Sequence, residues 1–198
     1  MLAYSRIADM KKNKAIFLDR DGVINYEKNF ILSTQDMELI PDAPYALRKI
    51  NSSPFLAIVV TNQSAVARNL IQPNELEQIH EKLKADLKKN GAYVDAIYYC
   101  PHHPDYNASD ANKDLIKECH CRKPKPGLLF DASKEMNIDL QQSYMIGDSE
   151  RDIQAGKEAG CSTIGVRTGK NIENFTIKPD YTFDTVLGAT DHILNTDK

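Results

Sequence analysis

Lys14-Ala-Ile-Phe-Leu-Asp-Arg-Asp-Gly-Val-Ile-Asn25 decides how this chain reads. Ala15 to Leu18 form a short apolar run, the pattern of a buried strand. The run stops on Asp19, and Asp21 and Gly22 follow. Two carboxylates at the end of a buried strand build a poor core. They build a good site, because open α/β sheets bind ligands at the carboxyl ends of their strands. Asp-x-Asp-Gly also occurs in turns and calcium loops, but a calcium loop needs further oxygen ligands close behind. Val23 and Ile24 stand there instead.

Outward from this stretch, the pattern repeats. Phe55 to Val60 is apolar and rich in β-branched residues, as central parallel strands are. It stops on Thr61-Asn-Gln-Ser64. Ser143 to Ile146 predicts another strand, ending on Gly147-Asp-Ser149, and Tyr93 to Tyr99, Ser162 to Val166 and Tyr181-Thr182 predict three more. Helical spacing is expected from Pro41 through Ile50, over Pro73–Asn90 with a stop at Gly91, over Leu128–Met136, from Glu150 to Ala159, and over 185–194. Strands alternating with helices predict an α/β fold, a Rossmann-like parallel sheet with helices on both faces. One domain is expected over residues 1–198, with a polar lead-in at 1–13, a long loop at 100–122 and a tail at 191–198.

Composition excludes several classes. The net charge of −3 leaves no basic footprint for nucleic acid. No apolar run reaches the length of a membrane span. The first dozen residues lack the apolar core of a signal peptide. A cytoplasmic monomer acting on a small molecule, without nucleic acid or membrane, is the expectation.

The strand ends gather one chemistry. Carboxylates held together repel unless a cation or a proton lies among them. Asp19 and Asp148 suit Mg²⁺, which takes few carboxylates and completes its shell with water and phosphate oxygens. Thr61, Asn62 and Lys123 would add an anion cradle. One carboxylate can then attack phosphorus and the other move a proton.

In this order, Phe17-Leu-Asp-Arg-Asp-Gly22, Val60-Thr-Asn62, Lys123 and Ile146-Gly-Asp-Ser-Glu-Arg-Asp152 resemble the four motifs of the haloacid dehalogenase superfamily of phosphatases. The resemblance implies that Asp19 is the nucleophile, forming an aspartyl phosphate, and Asp21 the general acid and base. It implies Mg²⁺ held by Asp19, the backbone carbonyl of Asp21, and Asp148. Thr61 and Lys123 would hold the transferring phosphoryl group, and Asp152 would either lie behind the metal ligands or orient the lysine. A receiver-type signalling domain also places carboxylates, Thr and Lys at strand ends. It has no use for Asp21, which removes the phosphate that a receiver keeps.

Cys100-Pro-His102-His103 and Cys119-His120-Cys121 bracket the long polar loop. Two such pairs can close a four-coordinate structural Zn²⁺ site, and the ligand set read here is Cys100, His102, Cys119 and Cys121. His103 or His120 could replace His102. Such a site would hold Arg122 and Lys123 in place, whereas a zinc-ribbon nucleic-acid module would have no use for Asp148.

Asp19-Arg-Asp-Gly-Val-Ile-Asn25, Thr61-Asn-Gln-Ser64 with Ala67-Arg68, Tyr98-Tyr-Cys-Pro-His-His-Pro104 and Cys121-Arg-Lys-Pro-Lys-Pro-Gly127 resemble the zinc-containing, small-cap subfamily of heptose bisphosphate and histidinol phosphatases. That resemblance implies a minimal cap and substrate contacts from Glu27, Lys28, Asn29, Phe30, Asn62, Gln63, Ser64 and Arg122. It implies D-glycero-D-manno-heptose 1,7-bisphosphate cleaved at the 7-position, for surface polysaccharide such as lipopolysaccharide. Histidinol phosphate is the alternative, and a polynucleotide substrate a third. Departures are Ala65 and Asn69 where the subfamily commonly carries Gly, and Ser149 where heptose enzymes often carry Lys. His80 and His192 read as bland residues, His80 as a solvated one, and Cys161 as a small core residue.

Overall fold

The computed structural model describes residues 11–170 and 172–196. Most of the lead-in therefore lies outside the described residues. Six strands make one parallel sheet: β1 (Lys14–Leu18), β2 (Phe55–Asn62), β3 (Ala96–Cys100), β4 (Tyr144–Gly147), β5 (Ser162–Val166) and β6 (Tyr181–Phe183). Their order is β3-β2-β1-β4-β5-β6. All pairs are parallel, with Phe17 opposite Ile58 on one side and Met145 on the other. This is the doubly wound order, and it reverses direction between β1 and β4.

The central strands are buried on both faces, and their alternation sorts side chains into two cores. Ile16, Leu18, Ala57 and Val59 face α1 (Ala43–Asn51), α2 (Pro73–Lys89) and α5 (Val186–Thr196). Ala15, Phe17, Ile58 and Val60 face α3 (Gly127–Met136) and α4 (Glu150–Ala159). Both sheet faces are thus covered by helices, which is why these strands carry unbroken apolar runs.

The structure corrects several boundaries. Pro41 lies in a turn closed by Ala43 N–H on the Ile40 carbonyl, so α1 starts at Ala43 with Pro44 in its first turn. β3 starts at Ala96, not Tyr93. Asp95 bonds Ala57 through both its backbone N–H and its carboxylate, which takes the place of a ladder step. The expected tail at 191–198 is helix as far as Thr196, because Ala189, Thr190 and Ile193 are buried. Asn13, in the expected lead-in, is tied to the body by bonds with Asn137 and Asp139.

His80 is also corrected. It is 6 % exposed, not solvated. It stands four residues after Leu76 and three before Leu83, on the apolar stripe of α2, and its ring meets Tyr99 with centroids 5.4 Å apart. Cys161 is buried as expected. His192 packs its ring on Tyr181 and Phe183.

Candidate active site

A cavity of about 310 Å³ opens where the sheet reverses direction, at the carboxyl ends of β1, β2 and β4. β1 delivers Asp19 and Asp21, β2 delivers Thr61 and Gln63, and β4 delivers Asp148. The apolar strands that bury themselves in the core therefore aim the polar residues at their ends.

Lys123 is the cation of the floor. Its Nζ lies 3.1 Å from Asp19 Oδ1 and 2.6 Å from Asp152 Oδ1, and it donates to the Val60 carbonyl at 2.7 Å. Burial opposes its charge, but Asp152 and Asp19 hold it above the usual lysine range. Burial pushes Asp19 up to about 6 against the pull of Lys123. Asp148 is pushed up to about 8 by burial and by the neighbouring Asp19.

Asp21 differs. Burial would raise it, but Arg20, Asn25 and Gln63 together hold it below the usual carboxylate range. Arg20 grips it from Nε and Nη2 at 2.9–3.2 Å. Asn25 and Gln63 donate to its two oxygens at 2.8 and 2.9 Å. Two carboxylates two residues apart thus have opposite electrostatics.

Oxygen ligands from Asp19, Asp148 and Asp152 come within 4.8 Å of one another. Asp152 is committed to Lys123 and to the Ser149 backbone N–H and hydroxyl, whereas Asp148, among the described residues, accepts only the Lys170 backbone N–H. A buried carboxylate beside a second one, with so little donation, is the environment a divalent cation fits. The space around Asp148 depends on two glycines. A Cβ at Gly169 would stand 1.9 Å from Asp148 Oδ2, and one at Gly22, where φ is +79°, would stand 2.4 Å away.

The thiol cluster assembles as expected. Cys100, His102, Cys119 and Cys121 bring their ligand atoms within 4.8 Å of one another. His102 Nδ1 lies 3.3 Å from Cys121 Sγ and 3.6 Å from Cys100 Sγ. The sulfur pairs are 3.1, 3.5 and 3.6 Å apart. A tetrahedral ion with sulfur and nitrogen ligands sets such atoms roughly 3.5–3.8 Å apart, so the group can hold a metal with little adjustment. The other histidines are occupied elsewhere. His103 contacts Arg68 at 3.1 Å and accepts the Asp105 N–H, and His120 points outward to Asp131, with its side chain 74 % exposed.

Of the expected substrate contacts, Glu27, Asn29, Phe30, Gln63, Ser64 and Arg122 line the cavity. Lys28 does not; its ammonium is 2.9 Å from Glu38. Asn62 lines the cavity, but both ends of its amide are taken by the Lys123 backbone. Nδ2 donates to the carbonyl at 2.9 Å, and Oδ1 accepts the N–H at 3.0 Å. It aims the lysine.

Sequence reading passed over Arg68, Arg151 and Lys170, which also line the cavity. Arg68 stands 4.4 Å from the Tyr106 ring and 5.5 Å from the Phe30 ring. Burial lowers Arg122, and the charges of Arg151 and Arg68 lower it further. Arg151 has no ion pair or hydrogen bond among the described residues. The cavity wall thus groups three guanidinium ions, of which Arg122 donates to the His102 carbonyl at 3.0 Å. Arg68 and Arg151 sit inside the quoted motifs, and their positions alone could have pointed to them. Lys170 follows Gly169, whose only visible signal was a turn.

A buried lysine between the strand-end Asp19 and the helical Asp152, on a doubly wound parallel sheet, defines a phosphatase of the haloacid dehalogenase class. A HAD-hydrolase-like family model matches residues 120–189. The chain is 39% identical over 160 residues to a D-glycero-beta-D-manno-heptose-1,7-bisphosphate 7-phosphatase of Pasteurella multocida (strain Pm70), across 80% of this chain and 84% of the other. It is 38% identical over 149 residues to a D-glycero-alpha-D-manno-heptose-1,7-bisphosphate 7-phosphatase of Photorhabdus laumondii subsp. laumondii, across 75% and 79%. The crystal structure of a D,D-heptose 1,7-bisphosphate phosphatase from B. bronchiseptica, complexed with magnesium and phosphate, superposes with a TM-score of 0.81 at 32% identity, covering 92% of this chain and 99% of that one. The chain belongs to the heptose bisphosphate phosphatase family of that superfamily. Phosphatases of this superfamily are magnesium-dependent. No described helix is long and apolar enough to cross a membrane.

Proposed function

We propose that this chain removes the 7-phosphate of D-glycero-D-manno-heptose 1,7-bisphosphate through an aspartyl phosphate on Asp19. One observation carries the substrate reading. The cavity has two places for anions, the floor at Lys123 and the wall of Arg68, Arg122 and Arg151. A bisphosphate offers one group to each. Histidinol phosphate would bring a cationic ammonium toward that arginine wall, which disfavours it.

In the first step an Asp19 oxygen bonds to phosphorus as the bond to the sugar 7-oxygen breaks, and protonated Asp21 gives that oxygen its proton. The phosphate dianion arriving beside Asp21 raises its affinity for the proton it needs. In the second step ionised Asp21 takes a proton from water, and the water oxygen bonds to phosphorus as the bond from phosphorus to the Asp19 oxygen breaks, freeing inorganic phosphate and the Asp19 carboxylate. Arg20, Asn25 and Gln63 favour that ionised form. Lys123 and Thr61 neutralise and position the phosphoryl group, which is most of what such a transfer needs. Mg²⁺ held by Asp19, the Asp21 carbonyl and Asp148 would supply further charge neutralisation.

The Cys100, His102, Cys119 and Cys121 group would hold a structural Zn²⁺, since four protein ligands leave no open position. Residues 1–198 read as one domain, a cytoplasmic monomer serving surface polysaccharide synthesis. The deciding experiment compares kcat/KM for both heptose bisphosphate anomers and for histidinol phosphate. Preference for histidinol phosphate would overturn the substrate reading and leave the Asp19 chemistry intact.

A further inference from the structure

Thr168, Gly169 and Lys170 follow β5 and reach past β4 to the loop after β1. Thr168 Oγ1 donates to the Gly22 carbonyl, 146 residues earlier, at 2.5 Å. The Lys170 backbone N–H donates to Asp148 Oδ2 at 3.1 Å. One short strap therefore holds two loops at once, and these are the loops that carry the Asp21 carbonyl and Asp148.

The strap leaves from a fixed point. β5 is buried from Thr163 to Val166. Arg167 follows, with its N–H on the Phe183 carbonyl at 3.1 Å and its guanidinium on Asp184 and Glu173 at 3.0 Å each. At the far end Gly22 is held on both sides. Its N–H donates to the Asn25 carbonyl at 2.7 Å, and its carbonyl accepts the Thr168 hydroxyl. The Gly22 N–H shares a rigid peptide plane with the Asp21 carbonyl. Both bonds on Gly22 therefore help to aim that carbonyl.

The same strap lies against the carboxylate. Gly22 and Gly169 lack the side chains that would overlap Asp148, so both backbones press close to it. Of the two Asp148 oxygens only Oδ2 is taken among the described residues. Mg²⁺ requires a nearly ideal octahedron of oxygens at about 2.0–2.1 Å, whereas Ca²⁺ accepts irregular shells at about 2.3–2.6 Å. A small error in the spacing of two ligand loops therefore costs Mg²⁺ more than it costs Ca²⁺.

We propose that Thr168 is a positioning residue for the metal: its bond to Gly22 sets the spacing between the Asp21 carbonyl and Asp148, and so favours Mg²⁺ over the larger Ca²⁺. This role rests on the Mg²⁺ ligand set given above. Partners that hold metal ligands in place commonly govern affinity as strongly as this without touching the ion.

The test is metal binding by the full chain freed of Mg²⁺ by dialysis. Thermal melts against MgCl₂ and CaCl₂ at one pH give an affinity for each ion without turnover. Thr168→Val keeps the shape and removes the donor. It should weaken Mg²⁺ about tenfold and Ca²⁺ by less than about threefold. Thr168→Ser restores the hydroxyl and should return Mg²⁺ affinity to within about threefold of wild type. A merely structural contact would lower the metal-free Tm and leave the ratio of the two affinities where it was. An unchanged ratio in folded Thr168→Val overturns the proposal, and so does a Thr168→Ser chain that binds Mg²⁺ as weakly as Thr168→Val. If Thr168→Val does not fold, Thr168→Ala removes the same hydroxyl with less bulk and is judged by the same ratio. A wild-type chain whose Tm ignores Mg²⁺ overturns the Mg²⁺ reading and this role with it; a wild-type response that Thr168→Val shares in full overturns this role alone.

Discussion

Asp152 Oδ1 lies 2.6 Å from Lys123 Nζ, and neither side chain reaches solvent beyond 2 % of its surface. The pair fixes the Lys123 ammonium at the floor of the cavity in one place. Breaking a buried pair by removing one partner leaves the other charge uncompensated, which costs about 3–5 kcal/mol. Asp152→Ala should therefore lower stability by about that amount in chemical denaturation, and lower kcat as well. Stability within about 0.5 kcal/mol of wild type would show that Asp152 is not what holds the lysine.

Magnesium should stabilise the protein in a pH-dependent way. Without it, Asp19 and Asp148 stand at about 6 and about 8 against an ordinary 3.8. Between those values the native state binds more protons than the unfolded chain, so their contribution to stability falls as pH rises from about 4 to 8. Asp21 has the opposite sign; its contribution is complete above its unfolded value and is lost only in acid. Added Mg²⁺ should raise Tm more at about pH 8 than at about pH 5.5, where a proton already occupies Asp148. An equal rise at both would remove Asp148 from the ligand set.

Asp19 and Asp21 should fail differently. Asp19→Asn should cut turnover to below about 10⁻³ of wild type and trap no phosphoenzyme. Asp21→Asn should slow both steps by about 10²–10⁴-fold. Steady-state rates and quenched-flow detection of the acyl phosphate read these out. A normal rate in either variant would cancel the role assigned to that residue.

The arginine wall predicts a loss confined to bisphosphates. Arg122→Ala or Arg151→Ala removes charge-assisted hydrogen bonds to the phosphate that stays on the sugar, worth about 1.5–3 kcal/mol, or roughly ten- to a hundredfold in kcat/KM. Heptose 7-phosphate, lacking the second phosphate, should react with both variants as with wild type. Equal losses on the two substrates would place these arginines on the transferring group instead.

Metal analysis should find one zinc per chain in wild type and none in Cys119→Ser. The variant should also expose residues 100–122 to proteolysis before the rest. A full zinc complement in Cys119→Ser would break the ligand set.

Much of this was legible in the sequence, for definite reasons. The parallel sheet showed because strands buried on both faces must be apolar runs, and each run stopped on a polar group. His102 could not be separated from His103 and His120 by spacing. Only the fold shows His103 turned to Arg68 and His120 turned to solvent. Lys28 and Asn62 look like ligand contacts until their partners are visible, Glu38 for one and the Lys123 backbone for the other. Arg151 was hidden in a motif read for its aspartates. Lys170 and Gly169 reach the site from β5, far in sequence from everything they touch, and a local pattern carries no trace of such a contact.

The Asn62 clasp on the Lys123 backbone has an evolutionary side. β3 fixes Cys100 and Asn62 fixes Lys123, so residues 101–122 hang between two anchors set by the sheet. Drift in the length or sequence of that span cannot re-aim the lysine. That span can therefore vary without rebuilding the chemistry beneath. Exchanging residues 104–118 for the equivalent span of a relative should alter preference among sugar phosphates while turnover of small generic phosphates persists.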